Sequence, residues 1–237
     1  MSLPLRRRGQ CVVMAEFAML LDVDGTLVDS TYLHATAWAL TLRGFGHDIP
    51  TARTHRLIGM QGPRLLAELL GEQRAGRIAE QAEEEHARRF AAVRDQVAPL
   101  PGATRLLREL HERGIPAVLA TSAEEAEIER YLRLLGAEDL VAGYTAASDV
   151  ERSKPDPEGI EKALEKSGCD RGIVIGDSPW DVLAAKAAGL PSAAVRTGGF
   201  ATAELEESGA AVVCEDPVEL CERLDEVVAL AAQGALA

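Results

Sequence analysis

Leu20-Leu21-Asp22-Val23-Asp24-Gly25-Thr26-Leu27-Val28-Asp29-Ser30 is the stretch that decides how this chain is read. A short apolar run, Ala18 to Leu21, gives way to the acids Asp22 and Asp24 and then to Gly25-Thr26. Such a run reads as a buried parallel strand, and the carboxyl ends of these strands are where open α/β sheets place their chemistry. Carboxylates there are costly to bury unless positive charge meets them, most often a metal ion. The pair therefore reads as a nucleophile or metal ligand rather than as packing.

Further apolar runs follow at Ala117–Ala120, Leu140–Ala142, Ile173–Ile175 and Ala193–Val195, with a fifth over Ala210–Val213. Helical patterning falls between them, the alternation of a parallel sheet. Asp156-Pro157, Ser178-Pro179 and Asp216-Pro217 each read as an N-cap followed by proline at the first helical position. Gly114, Gly136, Gly168 and Gly189 stand where helices should stop. The interval from Ser30 to Ala98 breaks the alternation. It holds helical stretches at Thr31–Arg43, Pro63–Leu70 and Ala75–Gln96, and reads as an all-helical insertion.

The expectation is an α/β fold: a doubly wound, Rossmann-like parallel-sheet core over 16–29 and 99–237, with a helical cap over 30–98 inserted after the first strand. Within the cap, Glu83-Glu84-Glu85 and Arg88-Arg89 read as a solvated helix face with i,i+4 charge pairs. Residues 1–15 read as a disordered arm with Met14 as a candidate start; Arg6-Arg7-Arg8 precedes too short an apolar stretch for a signal peptide.

With 25 basic against 38 acidic residues the net charge is −13, which disfavours nucleic acid or an anionic membrane as partner. At 47% hydrophobic the chain can bury a core, yet no apolar run approaches the length of a membrane span. The four cysteines (Cys11, Cys169, Cys214, Cys221) form no C-x-x-C pair, so thiols in a reducing cytoplasm are the expectation.

Three apolar runs end in small or acidic polar groups: Asp22-x-Asp24, Thr121-Ser122, and Gly176-Asp177-Ser178 with Asp181 following. A polar turn, Ser153-Lys154-Pro155-Asp156, precedes a further helix. In a parallel sheet these ends converge on one edge. This ordered set resembles the haloacid dehalogenase-like superfamily. D-x-D-G-T-L-V matches its first motif, Thr121-Ser122 the second, Lys154 the third and G-D-S-x-x-D the fourth. The insertion resembles the helical cap of the phosphoglycolate phosphatase and β-phosphoglucomutase branch.

The resemblance implies a Mg²⁺-dependent phosphatase acting on a small phosphorylated metabolite. Asp22 would be the nucleophile and Asp24 the general acid and base. Asp22, Asp177 and the backbone carbonyl of Asp24 would hold Mg²⁺, with Asp181 either a capping or supporting group or a direct ligand. Thr121, placed at a helix N-terminus, would bind phosphate with Gly25, Thr26 and Ser122 nearby, and Lys154 would balance the negative charge.

Asp29-Ser30 reads as the cap of the first helix of the insertion. His34 and Trp38 share a helix face that points either at the active site or into the cap core. Trp38 is assigned to the core, while His34, Arg56 and Arg64 are candidates for substrate contact. Asp24 argues against dehalogenase chemistry, and a cap without lysine argues against phosphonatases. A β-phosphoglucomutase-like mutase remains the alternative within the family, although Ile58-Gly59-Met60-Gln61-Gly62 lacks the expected anchoring cations. A phospho-accepting or phosphate-binding module without turnover is the alternative outside it. A cytoplasmic monomer or homodimer is expected.

Overall fold

The computed structural model describes residues 16–233. The expected arm over 1–15, with Met14 and Cys11, lies outside the described residues.

The first apolar run forms β1 (Ala18–Leu21), buried along its whole length. The chain then enters α1 (Thr31–Gly44), α2 (Thr51–His55), α3 (Gly62–Leu70) and α4 (Glu72–Ala91) before returning through a 3₁₀ turn at Arg94–Gln96. From there helices and strands alternate. They are α5 (Ala103–Glu112), β2 (Ala117–Ala120), α6 (Glu125–Leu135), β3 (Gly143–Thr145), α7 (Glu158–Ser167), β4 (Gly172–Gly176) and α8 (Pro179–Ala187). β5 (Ser192–Val195), α9 (Thr202–Ser208), β6 (Val212–Cys214), α10 (Pro217–Glu222) and α11 (Leu224–Gln233) complete the order.

The sheet is β3-β2-β1-β4-β5-β6, and every pairing is parallel. β1 sits centrally, between β2 and β4, so the acids that follow it emerge mid-edge. Strand side chains alternate between faces. Met19 and Leu21 of β1 join a core with α5, α6, α10 and α11. Ala18 and Leu20 pack the opposite face with Ile160 and Ala163 of α7 and Ala184 and Ala185 of α8. Both faces are covered, which is why the strands read as continuous apolar runs. Helices α1, α3 and α4 share an apolar cluster of their own, with Ala35, Trp38, Leu42, Leu65, Leu66 and Ala82 at its centre.

Local differences from the sequence reading have physical causes. β3 begins after the Leu140–Ala142 run. Leu140 and Val141 pack against the core as connecting chain, and pairing starts where Ala142 N–H bonds Ala117 C=O at 2.8 Å. β6 likewise starts at Val212, past Ala210-Ala211. Helix α7 begins at Glu158 rather than at Pro157, so Pro157 and not Asp156 takes the N-cap position, while the Asp156 side chain accepts from Glu158 N–H at 3.1 Å in the preceding turn. Ser178 and Asp216 hold their N-cap positions, each with proline next. Gly136 and Gly168 end α6 and α7 in the left-handed conformation. Cys214 and Cys221 are buried, and burial pushes both thiols up to about 11. Among the described residues no helix is long and apolar enough to cross a membrane.

The cluster shared by α1, α3 and α4 has Leu66 fully buried at its centre. Leu66→Ala is expected to cost about 2–5 kcal/mol, read as a lowered denaturant midpoint. A cost below about 0.5 kcal/mol, the size of a surface change, would contradict this packing.

Candidate active site

β1 ends at Leu21, and Asp22 continues its ladder for one more bond, from Asp22 N–H to Ile175 C=O at 2.8 Å. A tight turn follows. The N–H groups of Thr26, Leu27 and Val28 all donate to Val23 C=O, and Gly25 N–H donates to Val28 C=O. Gly25 stands at φ +84°, and a methyl group built on it would lie 2.2 Å from Thr31 Oγ1 and 2.3 Å from Asp177 Oδ2. Only glycine fits that conformation and that space.

β4 ends at Gly176, so Asp177 emerges beside Asp22 on the same edge. Gly176 has no room for a side chain, because Asp181 Cβ would lie 2.3 Å from it. Asp181 comes one turn into α8. Its Oδ2 accepts from Ser178 N–H at 3.2 Å and Ser178 Oγ at 2.6 Å, a capping box. Its Oδ1 pairs with Lys154 Nζ at 2.7 Å.

Lys154 arrives from the turn before α7. Nζ also meets Asp22 Oδ1 at 2.5 Å and Ala120 C=O at 3.0 Å. Thr26 Oγ1 lies between two carboxylates, 3.4 Å from Asp22 Oδ2 and 3.3 Å from Asp177 Oδ1. Asp22, Asp177 and Asp181 each offer an oxygen within 4.8 Å of the others. Three buried carboxylates thus face one ammonium.

The electrostatic consequence is direct. Burial pushes the Asp22 carboxyl up to about 7, against the pull of Lys154, and Asp181 adds to the rise. Asp177 is driven well above its usual range by burial, then by Asp22 and Asp181. Burial opposes the charge on Lys154, but Asp181 and Asp22 more than offset it and raise its pKa. A site of three oxygens with unbalanced negative charge suits a small, hard divalent cation such as Mg²⁺.

Asp24 has a different environment. Ser30 Oγ at 2.5 Å and Tyr131 Oη at 3.2 Å both donate to its Oδ1, and His34 Nε2 lies 3.3 Å from the same atom. No protein group among the described residues bonds Oδ2. Burial raises this carboxyl, but His34, Ser30 and Tyr131 together hold it below the usual range.

A cavity of about 390 Å³ opens onto Asp22, Asp24 and Thr121. That is the size of a site for a small metabolite. Its floor comes from the strand ends. Its roof comes from the Ile58–Gly62 loop and one face of α4, on which Glu83, His86 and Phe90 recur at helical spacing. His34 stacks on Phe90 with ring centres 3.8 Å apart, and Trp38 on His86 at 4.3 Å.

The structure brings Asp22, Asp24, Gly25, Thr26, Thr121, Ser122, Lys154, Asp177 and Asp181 to one edge of the sheet, and resolves the two alternatives for His34 in favour of the cavity. Trp38 belongs to the cap core, as expected, and also lines the cavity. Other expectations need correction. Arg56 and Arg64 do not line the cavity. Arg56 instead forms an ion pair with Glu204 and stacks over Phe200, 4.3 Å from its ring centre. It joins α2 to α9 on the far side of the cap. Arg64 is exposed on α3.

Thr26, expected near phosphate, commits its hydroxyl to Asp22 and Asp177. Thr121 is not at a helix N-terminus: α6 starts at Glu125, and Thr121 Oγ1 accepts from Ala123 N–H at 3.1 Å within a turn. Ser122 Oγ donates to Gly59 C=O at 3.4 Å, tying the strand end to the cap loop. Ser30 stands at the N-cap position of α1 without a side-chain cap bond, since its hydroxyl turns to Asp24.

Sequence reasoning missed Tyr131, His86 and Phe90. All three sit at positions that read as ordinary amphipathic helix, and only the fold shows where the hydroxyl and the rings point.

Comparison with known proteins agrees with this geometry. The family model described as haloacid dehalogenase-like hydrolase matches residues 18–189. The chain is 32% identical over 175 residues to validoxylamine A 7'-phosphate phosphatase of Streptomyces hygroscopicus subsp. limoneus, covering 72% of this chain and 81% of that protein. It is 30% identical over 210 residues to phosphoglycolate phosphatase of Rhodospirillum rubrum, covering 84% and 87%. A crystal structure of a hydrolase from Pseudomonas syringae superposes with a TM-score of 0.84 at 34% identity, covering 89% of this chain and 99% of that one. The chain belongs to the haloacid dehalogenase-like hydrolases.

Lys154 is the only cation in contact with the buried carboxylates among the described residues. Lys154→Met in metal-free buffer is therefore expected to lower stability by about 3–5 kcal/mol, measured by denaturant unfolding. A loss below about 0.5 kcal/mol, as for a surface lysine, would mean that the carboxylates do not depend on it.

Proposed function

We propose that this hydrolase is a Mg²⁺-dependent phosphatase that cleaves a small phosphorylated metabolite through an aspartyl-phosphate on Asp22. The observation that carries this reading is the buried Asp22–Lys154 pair beside Asp177, at the floor of a cavity that also presents the free oxygen of Asp24. Related proteins support it: two relatives are a validoxylamine A 7'-phosphate phosphatase and a phosphoglycolate phosphatase.

Asp22 attacks phosphorus and the P–O bond to the leaving group breaks. Asp24 delivers a proton to the departing oxygen. Asp24 is held below the usual range while the site is empty of phosphate, and the approach of the phosphoryl dianion raises it toward the protonated form. In the second displacement water attacks the aspartyl-phosphate, Asp24 takes the water's proton, and phosphate leaves with Asp22 regenerated.

Lys154 neutralises Asp22 at rest and the phosphoryl oxygens during transfer. Asp181, bound on one oxygen by Ser178 and on the other by Lys154, is a positioning residue for that lysine. Thr121 and Ser122 lie in the floor, where the Thr121 hydroxyl and the Ser122 backbone N–H would receive phosphoryl oxygens. Mg²⁺, held by the carboxylates of Asp22 and Asp177 and the backbone carbonyl of Asp24, would neutralise charge and align the phosphoryl group for in-line attack. The cap excludes bulk water.

The mutase alternative needs an anchor for a second phosphate. Among the described residues Arg94 is the only lysine or arginine lining the cavity, and it is exposed, so hydrolysis is the better fit.

Phosphate release from p-nitrophenyl phosphate and a panel of phosphorylated metabolites is expected with Mg²⁺ and not with EDTA. Asp22→Asn is expected to lower kcat by at least about 10³-fold with the fold intact by circular dichroism. Turnover at the wild-type rate in that variant would overturn the mechanism.

A further inference from the structure

The half of the cavity that receives the leaving group carries its own charge pattern. Glu83 projects from α4 in the roof, and Glu124, exposed at the N-cap of α6, lines the same cavity. Neither side chain has a hydrogen bond or ion pair among the described residues. Nearby acids are paired: Glu85 of α4 with Arg88 and Arg89, each at 2.7 Å, and Glu127 in the cavity wall with Arg130 at 3.5 Å; Arg94, exposed, is the cation among the described lining residues.

Glu83 also lies against an aromatic ring. A methyl group built on Gly62 would stand 2.7 Å from Glu83 Oε1 and 3.0 Å from Trp38 Cζ2, so the carboxylate and the indole edge converge on one spot. Both acids line the same cavity, and the half-buried Glu83 carboxyl is raised by burial and then by the charge of Glu124.

Resting on the phosphatase reading above, we propose that the leaving group is a cationic amino-polyol, such as an amino sugar or aminocyclitol. Its ammonium lies between Glu83 and Glu124, beside Trp38. Two carboxylates and an indole form a site for an ammonium and repel a carboxylate or a second phosphate. The polyol ring has apolar surface at Trp38 and Phe90 against which its C–H faces pack. Because Glu83 belongs to the cap and Glu124 to the core, a cation held by both also draws the two together over the phosphoryl group.

The test is a matched pair, glucosamine-6-phosphate and glucose-6-phosphate, which differ by one amino group. It is run at about pH 6.5, where an amine of pKa ~8 is charged. Phosphoglycolate and p-nitrophenyl phosphate serve as comparisons. The expected kcat/KM favours the amino sugar by about tenfold or more, the effect of one partly desolvated ion pair. In Glu83→Gln/Glu124→Gln that ratio is expected to fall close to one.

Equal kcat/KM for the pair in the wild-type enzyme, with p-nitrophenyl phosphate turned over, would overturn the proposal and leave the phosphatase reading standing. So would a preference for phosphoglycolate over both sugars. A wild-type ratio that the double substitution leaves unchanged would likewise overturn it. Failure to turn over even p-nitrophenyl phosphate would instead remove the phosphatase reading, and the proposal with it.

Discussion

The confinement of three carboxylates with a single ammonium at the carboxyl edge of the sheet governs this structure. Asp22, Asp177 and Asp181 are all buried, and among the described residues Lys154 is the one cation that pairs with any of them, meeting Asp22 and Asp181. Burying like charges at such range is unfavourable, and the raised pKa values of Asp22 and Asp177 express that cost. The surrounding fold is arranged to hold them there regardless. Gly25, Gly176 and Gly198 leave room where any side chain would collide with Asp177 or Asp181. Ser178 holds Asp181, and Thr26 spans Asp22 and Asp177. A charge imbalance held this firmly is a standing demand for a cation.

Asp24, only two residues from Asp22, has the opposite electrostatic setting. Donors from the start of α1, from His34 one turn further along it, and from Tyr131 of α6 converge on one of its oxygens. Two carboxylates of one turn are thereby driven in opposite directions, Asp22 up and Asp24 down, a division set by environment rather than residue type. Because Ser30 and His34 enter with the first cap helix, the cap helps to define the chemistry of the floor as well as to cover it. The contacts of Arg56 with Glu204, of His55 Nε2 with Gly198 C=O at 2.7 Å, and of Trp180 Nε1 with Arg56 C=O at 3.1 Å seat the cap against the core away from the cavity.

The parallel sheet and the convergence of its strand ends were legible because they follow from local pattern: apolar runs ending on acids, prolines after capping residues, and glycines after helices. Residues at strand ends follow the backbone directly, so the placement of Asp22 and Asp177 needed no knowledge of tertiary packing, whereas Lys154, in the turn before α7, was legible only from its place in the ordered set of motifs. The cap was less legible because which face of a helix meets a cavity depends on docking, which periodicity does not encode. Glu83 illustrates this. It stands in a run with Glu84 and Glu85 and reads as solvated, yet Glu83 turns into the cavity while Glu85 pairs on the outer face. Arg56 shows the converse, a cation that looked like an anchor for substrate and instead holds two elements together. Strand β3 was misplaced by three residues because an apolar run does not carry its own register.

The central claim is that unbalanced charge among Asp22, Asp177 and Asp181 creates the demand for a divalent cation. Thermal unfolding of the wild type and of Asp177→Asn, with and without Mg²⁺, tests it most directly. Mg²⁺ is expected to raise the wild-type Tm. Asp177→Asn is expected to raise the metal-free Tm by relieving repulsion and to abolish the response to Mg²⁺. A substitution that lowers the metal-free Tm and leaves the Mg²⁺ response intact would contradict it.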